Sequence, residues 1–145
     1  MSRTRYPDVF PSSPYPAGSR FAAFICSYMP DDAVHASMRQ GNLVRQLAWW
    51  RRMNDMPVSV IASNWQDRRL ELCGELQRVQ ERGGNIIRTP AQPLIANRIH
   101  ALQALYASDA DWGIIMDDDA VLYDSPAHNS GAAFFAEMAL NGTDA

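Results

Sequence analysis

The sequence predicts an α/β fold in which a parallel β-sheet carries helices on both faces. Short apolar runs of strand length are ended by polar or turn-forming residues. Between these runs lie longer segments whose apolar residues recur at helical spacing. Strands that alternate with helices in this way form parallel sheets with right-handed crossovers. At 145 residues the chain has the length of one domain.

Residues 1–20 are predicted to form a proline-rich N-terminal arm, and residues 21–145 the domain itself. Four prolines in the first sixteen residues are incompatible with a helix or a central strand. The arm is interpreted either as an extended segment lying on the domain or on a neighbour, or as a disordered leader.

The elements follow one another as β-α-β-α-β-α-β, which is a Rossmann-like order. Asp31 or Asp32 is expected to cap the first helix, and Asn64 and Asp67 are stop and cap signals before the second. Gly83-Gly84 has the position of a helix C-cap. The predicted elements are strand 21–28, helix 33–53 with a candidate break at Gly41-Asn42, strand 57–64, helix 66–82, strand 85–88, helix 94–106, strand 111–123 and a last helix 132–140.

Helical spacing also predicts which side chains are buried. Trp49 and Trp50 are adjacent, so we expect only one of them to face the core. Cys26 and Cys73 are interpreted as reduced, buried residues that are far apart, because they lack the spacing of a metal site. The buried stripes expected for the second and third helices are Leu72, Cys73, Leu76 and Val79, and Ile95, Ile99, Leu102 and Tyr106.

The most informative stretch is the fourth strand, where an apolar run ends in Asp117, Asp118 and Asp119. We expect a central strand buried on both faces, with Ile114 and Ile115 among the most buried residues. The acids would then lie at the carboxyl end of the sheet, where such sheets bind ligands. Two carboxylates ~4 Å apart near the surface repel by about 4 kcal/mol, a cost that Mg²⁺ or Mn²⁺ would relieve. A solvated acidic turn is the alternative.

Composition and charge narrow the classes of function. A net charge of −3 argues against a general binder of nucleic acid or anionic membranes. All basic side chains except histidine are arginine, so any phosphate contact would use a guanidinium. No apolar run is long enough to span a bilayer, and no signal-peptide pattern opens the chain, which makes the cytoplasm the expected location.

Three motifs in this order resemble the nucleotide-sugar half of GT-A glycosyltransferases. They are Cys26-Ser27-Tyr28 at the end of the first strand, Asn97-Arg98 in the third helix, and the Asp-x-Asp motif formed by residues 117–119. The resemblance covers about residues 21–123. It implies a nucleotide-diphospho sugar as donor, most simply a UDP-sugar, an acceptor of unknown identity, and Mn²⁺ or Mg²⁺ as cofactor.

The resemblance also assigns roles to single residues. Asp117 would approach the ribose or the metal, Asp119 would coordinate the metal, and Asp118 could take either role. Ser27 and Tyr28 would meet the base and ribose, while Asn97 and Arg98 would lie at the nucleotide, with Arg98 pairing with the diphosphate. Arg98 in an ordinary surface salt bridge is the alternative.

Only about twenty residues follow Tyr123, whereas the family carries an acceptor-binding half there. No catalytic base is assigned, and His128 is at most a late metal ligand. The chain is therefore interpreted as a metal-dependent glycosyltransferase or its donor-binding portion, completed by further residues, by a homo-oligomer or by a partner subunit. A non-catalytic GT-A-like binding or structural module is the main alternative, and a Mg²⁺-dependent phosphotransferase is a weaker one.

Overall fold

A computed structural model describes residues 15–16, 18–53 and 56–122. The elements, in chain order, are β1 (Phe21–Tyr28), α1 (Ala33–Met53), β2 (Val58–Ser63), α2 (Asp67–Leu72), α3 (Gly74–Glu81), β3 (Ile86–Thr89), α4 (Leu94–Ala107) and β4 (Trp112–Asp117). The four strands form one parallel sheet in the order β3-β2-β1-β4. The predicted α/β, Rossmann-like class is confirmed. The predicted helix 132–140, the turn with His128 and the first fourteen residues lie outside the described residues.

The two faces of the sheet carry separate apolar cores, because successive side chains of a strand point to opposite faces. On one face Ala23 and Ile25 of β1 pack with α1 and α3. On the other, Phe24 of β1 and Ile61 of β2 pack against Ala101 of α4. Helices therefore cover both faces, as predicted.

The prediction of a central fourth strand is wrong. Within the described part of the chain β4 lies at the edge of the sheet, and β1 and β2 are the inner strands. Ile114 and Ile115 are accordingly only half-buried, whereas Ile25 and Ile61 on the inner strands are fully buried. The apolar composition of β4 fits a buried strand, but composition does not fix a strand's place in the order.

The buried stripe predicted for the third helix is also wrong. Ile95, Ile99, Leu102 and Tyr106 are all exposed, and Tyr106 retains 94% of its accessible surface. α4 instead turns small residues such as Ala101 towards the sheet. Small side chains let the helix come close: a Cβ on Gly113 of β4 would lie 2.7 Å from Leu105 Cδ1.

α1 runs without a break through Gly41-Asn42, where a break was a candidate. The expectation that only one of Trp49 and Trp50 faces the core is wrong, because both are buried. Their rings meet edge to face, with centroids 5.0 Å apart. A perpendicular pair lets two adjacent residues share one apolar cluster.

The predicted helix 66–82 consists of two helices that meet at Cys73. The extended backbone of Cys73 (φ −83°, ψ 102°) separates α2 from α3 and resets the helical phase. Leu72, predicted to be buried, is therefore exposed, whereas Leu76 and Val79 are buried as expected. Asp67 is the first residue of α2 rather than its cap.

Other local signals have the structures predicted for them. Asp32 Oδ2 accepts a hydrogen bond from the backbone N–H of His35 and so caps α1. Asn64 adopts a positive φ of 60° directly after β2. Gly83 (φ 87°) follows α3, and the N–H of Gly84 donates to the carbonyl of Val79, as in a Schellman C-cap.

Cys26 and Cys73 are free, buried thiols on opposite faces of the sheet. Their predicted separation is confirmed. Among the described helices, none is both long enough and apolar enough to cross a membrane.

Candidate functional site at the carboxyl end of β4

The candidate site is the acidic turn, defined as Asp117, Asp118 and Asp119. Asp117 is the last residue of β4, and the N–H of Ala120 donates back to the Asp117 carbonyl at 3.2 Å to close the turn. The N–H of Asp118 donates to the carbonyl of Cys26, which extends the pairing of β4 with β1 by one step. The three acids therefore leave the sheet at its carboxyl end, as predicted.

Asp118 points inwards and is fully buried. Its Oδ1 accepts a hydrogen bond of 3.0 Å from Arg39 Nη2, on α1. Its Oδ2 is buried without a hydrogen-bond donor among the described residues, and so is Arg39 Nε without an acceptor. An ionised oxygen left without a donor in the interior is costly.

The pKa of the Asp118 carboxyl is raised to about 6, chiefly because burial disfavours its charged form. Arg39 opposes this rise in pKa, and so does the nearby Ser27 hydroxyl, although Ser27 does not complete a regular hydrogen bond to Oδ2. The neighbouring carboxylates of Asp119 and Asp117 raise the pKa further.

The other two acids point elsewhere. Asp117 is half-buried, and its Oδ2 accepts a hydrogen bond of 3.2 Å from Arg98 Nη2 on α4. Asp119 is exposed. Within the described residues no three His, Cys, Asp or Glu side chains lie close enough together to hold a metal ion. Arg39 and Arg98, one from each face of the sheet, pair with two of the acids, and Arg45 lines the same small depression as Asp118 and Asp119.

Gln46 of α1 fixes the backbone of the turn. Its buried Nε2 donates to the carbonyls of Asp117 at 2.9 Å, Ala120 at 3.3 Å and Asp118 at 3.4 Å. Its Oε1 accepts a bond of 3.2 Å from Trp50 Nε1, which holds the amide in that orientation. A single glutamine side chain thus donates to three backbone carbonyls of the turn, and the Asp117 carbonyl also accepts the Ala120 N–H.

The structure brings only some of the other residues that were predicted to bind the nucleotide close to the acidic turn. Ser27 is fully buried, and its hydroxyl accepts a bond of 3.1 Å from Trp65 Nε1. Tyr28 is half-buried at the end of β1. Asn97 is buried within α4, where its Oδ1 accepts a bond from Gln92, so its side chain is engaged away from the acids. Of this group, Arg98 forms a regular hydrogen bond to the acidic turn, and the Ser27 hydroxyl lies near the Asp118 carboxyl.

Sequence reasoning missed Arg39 and Gln46, although Gln46 carries a detectable signal. It stands between Leu43, Leu47 and Trp50 on the apolar stripe of α1, and a polar residue on a buried stripe requires a buried partner. Arg39, one turn before Leu43, carries no comparable signal because arginines are common on exposed helix positions.

Comparisons of the chain with protein-family models, with curated proteins and with solved structures found no match.

Proposed function

We propose that this chain is the donor-binding portion of a metal-dependent glycosyltransferase that takes a nucleotide-diphospho sugar, most simply a UDP-sugar. The proposal combines the resemblance to GT-A enzymes with the position of the acidic turn. The acids stand at the carboxyl end of a parallel sheet, where ligands of such folds bind. The acceptor and the catalytic base are not assigned.

One observation carries the proposal: Asp118 Oδ2 is a buried carboxylate oxygen without a hydrogen-bond donor among the described residues. A divalent cation is a partner that such an oxygen can take, because hard cations prefer carboxylate ligands. The exposed carboxylate of Asp119 is the next residue in the chain and is not committed to an arginine by any described contact. Asp119 is open to a metal that reaches the turn from solvent, whereas the Asp118 side chain would have to turn out of its buried position to join it.

A bound Mn²⁺ or Mg²⁺ would supply Lewis-acid stabilisation of a diphosphate leaving group. The chain's own residues would position that group. Arg98 is half-exposed beside Asp117 and would share its guanidinium with the diphosphate. Gln46 would hold the backbone of the turn in place when the metal and the diphosphate bind. The half-buried Tyr28 ends the adjacent strand β1, two residues after the register partner of Asp117, and would contact a nucleotide held there.

The test is a thermal-shift titration with Mn²⁺, with and without UDP. Mn²⁺ should stabilise the protein by about 2.7 kcal/mol at a hundredfold excess over its dissociation constant. UDP should add to this shift only when Mn²⁺ is present, because the diphosphate needs the cation to approach the acids. Asp119→Asn should lose most of the metal response and keep the fold, since Asp119 is exposed.

A non-catalytic GT-A-like module is the second candidate, and a specific observation favours it. Arg39 and Arg98 already neutralise Asp118 and Asp117 without a metal. If neither Mn²⁺ nor UDP changes the melting temperature, the acidic turn is a structural junction between α1, α4 and β4. If Mn²⁺ binds and nucleotides do not, a metal-dependent phosphotransferase becomes the better proposal.

A cytoplasmic location is part of the same proposal. Its support is that Cys26 and Cys73 are both free and lie on opposite faces of the sheet, where they cannot form a disulfide with each other.

A further inference from the structure

A second concave site lies at the opposite end of the sheet from the acidic turn. It is a cavity of about 290 Å³ between the end of α1, α3 and the residues that lead into β2. Its apolar wall includes the buried side chains of Leu47, Trp50 and Val79. Its charged wall includes Arg51, Glu75 and Arg78.

The charged wall is a preorganised pair of guanidinium groups around one carboxylate. Glu75 Oε1 accepts hydrogen bonds from Arg51 Nη2 at 2.8 Å and from Arg78 Nη1 at 2.9 Å. Glu75 Oε2 accepts a third, from Arg51 Nε at 3.3 Å. These bonds fix the planes of both guanidinium groups. The two arginine side chains would therefore lose little further conformational entropy when a ligand binds.

The charges of this wall do not balance. Glu75 is 9% exposed, whereas Arg51 and Arg78 are 38% and 54% exposed. The carboxylate therefore lies behind the two arginines. Because Arg82 also lines the cavity, three guanidinium groups stand against one carboxylate, and the lining carries an excess of positive charge. Arg51 Nη1 and Arg78 Nη2 are not used by Glu75. Paired N–H donors of this kind suit an oxyanion.

We propose that this cavity binds a small organic anion, with one carboxylate or phosphate group attached to a compact apolar body. The oxyanion would take Arg51 and Arg78, and the apolar body would cover Met56 and Val58, the partly exposed apolar side chains of the lining. The volume is near the lower end of the range for small-molecule sites, so the ligand is small. The site needs no metal and is independent of the function proposed for the acidic turn.

Calorimetric titration of the full chain in metal-free buffer tests this proposal. The probes are benzoate, phenyl phosphate, and the two separate halves, benzyl alcohol and inorganic phosphate. We expect one of the two aromatic anions to bind more tightly than either half. Tighter binding of benzoate identifies carboxylates as the ligand class, and tighter binding of phenyl phosphate identifies phosphate monoesters.

Arg78→Gln should weaken binding of the aromatic anion by about tenfold, the loss of one charge-assisted hydrogen bond. Arg68→Gln is the matched control: it removes the same charge from an exposed position on α2 and should leave binding unchanged. Amide chemical-shift changes in the wild-type protein provide a readout that does not depend on a variant. They should cluster around residues 47–51 and 75–79.

Four outcomes would overturn the proposal. The first is that neither aromatic anion binds saturably, and the second is that inorganic phosphate or benzyl alcohol binds as tightly as the better of the two aromatic anions. The third is that the shift changes lie at the acidic turn or spread over the surface. Equal weakening by the Arg68→Gln control would show a general charge effect and would likewise overturn it.

Discussion

Gln46 is the side chain that most directly controls the shape of the acidic turn. Gln46→Ala should lower the free energy of unfolding by about 1–3 kcal/mol, because three backbone carbonyls of a partly buried turn lose the Gln46 amide as a hydrogen-bond donor. Gln46→Glu should cost more than Gln46→Ala, since it sets a carboxylate oxygen against those carbonyls. Urea denaturation of the two variants measures both losses. A Gln46→Glu variant as stable as wild type would contradict the assigned orientation of the amide.

Because of Asp118, the free energy of unfolding should fall as the pH rises from the unfolded-state pKa of this carboxyl to its folded-state pKa. Its pKa is about 6 in the folded protein against an ordinary value of 3.8, so between these values the folded state holds a proton that the unfolded state has released. The stabilisation is full below pH ~4 and is lost as the pH passes ~6. The total loss is on the order of 3 kcal/mol.

The measurement is the free energy of unfolding from pH 4 to 7 for wild type and two variants. Asp118→Asn should remove this loss of stability, whereas the matched Asp119→Asn should retain it because Asp119 is exposed. Other carboxyls, such as Asp32 and Asp111, have lowered pKa values and contribute the opposite slope, so the difference from wild type is the relevant quantity. Parallel curves for wild type and Asp118→Asn would refute the assignment.

The sequence identified the three acids of the turn but not the arginines that pair with them. Asp117, Asp118 and Asp119 are adjacent in the chain, and strand alternation already implies that the middle one points away from its neighbours. The partners Arg39 and Arg98 come from helices whose rotation about their axes depends on tertiary packing. Local pattern therefore predicted where the acids lie and could not predict which cations neutralise them.

Replacing glycine by alanine should have opposite effects on stability at Gly84, in the turn after α3, and at Gly41, within α1. Gly84→Ala should be strongly destabilising, by about 3 kcal/mol or more, because an added Cβ would lie 1.8 Å from the carbonyl oxygen of Val58. Gly41→Ala should stabilise by about 0.5–1 kcal/mol, since Gly41 lies within α1 and an added Cβ meets nothing within 4 Å.

Thermal or urea denaturation of both variants tests the pair. A stabilised Gly84→Ala would show that the turn after α3 does not approach β2 as described. A destabilised Gly41→Ala would show that α1 is interrupted at Gly41-Asn42 after all.

The local sequence pattern predicted which segments form helices and which form strands. It did not predict which face of a helix packs against the sheet. The spacing of Ile95, Ile99, Leu102 and Tyr106 correctly indicates a helix and an apolar face. α4 nevertheless packs through Ala101 and its neighbours, because small residues allow a closer approach to the sheet. A hydrophobic stripe reports amphipathicity, and which face meets the sheet is decided by the fit between the two surfaces.

For the whole molecule, the strand order predicts a pattern of hydrogen exchange. Amides of β1 and β2 should exchange most slowly, since these strands have neighbours on both sides. In β4, Ile114 and Met116 should be protected, because Trp112 and Asp118 donate to β1 and donors alternate along a parallel strand. Gly113, Ile115 and Asp117 should exchange quickly.

Residue-resolved exchange measured by NMR distinguishes the two sets of amides. Uniform protection along β4 would mean that another strand covers this edge and that the described sheet order is incomplete.

The strand order also has a consequence for synthesis. β1 is the first of the four described strands to leave the ribosome, yet one of its edges pairs with β4, where Arg20 contacts Asp111 across 91 positions of sequence. At 5–20 residues per second, that edge of the nascent chain waits roughly 5–18 s for its partner. β2 arrives earlier and can shelter the other edge. During the interval the apolar β1 is a ready target for chaperones, so growth temperature and translation rate should govern the yield of folded protein.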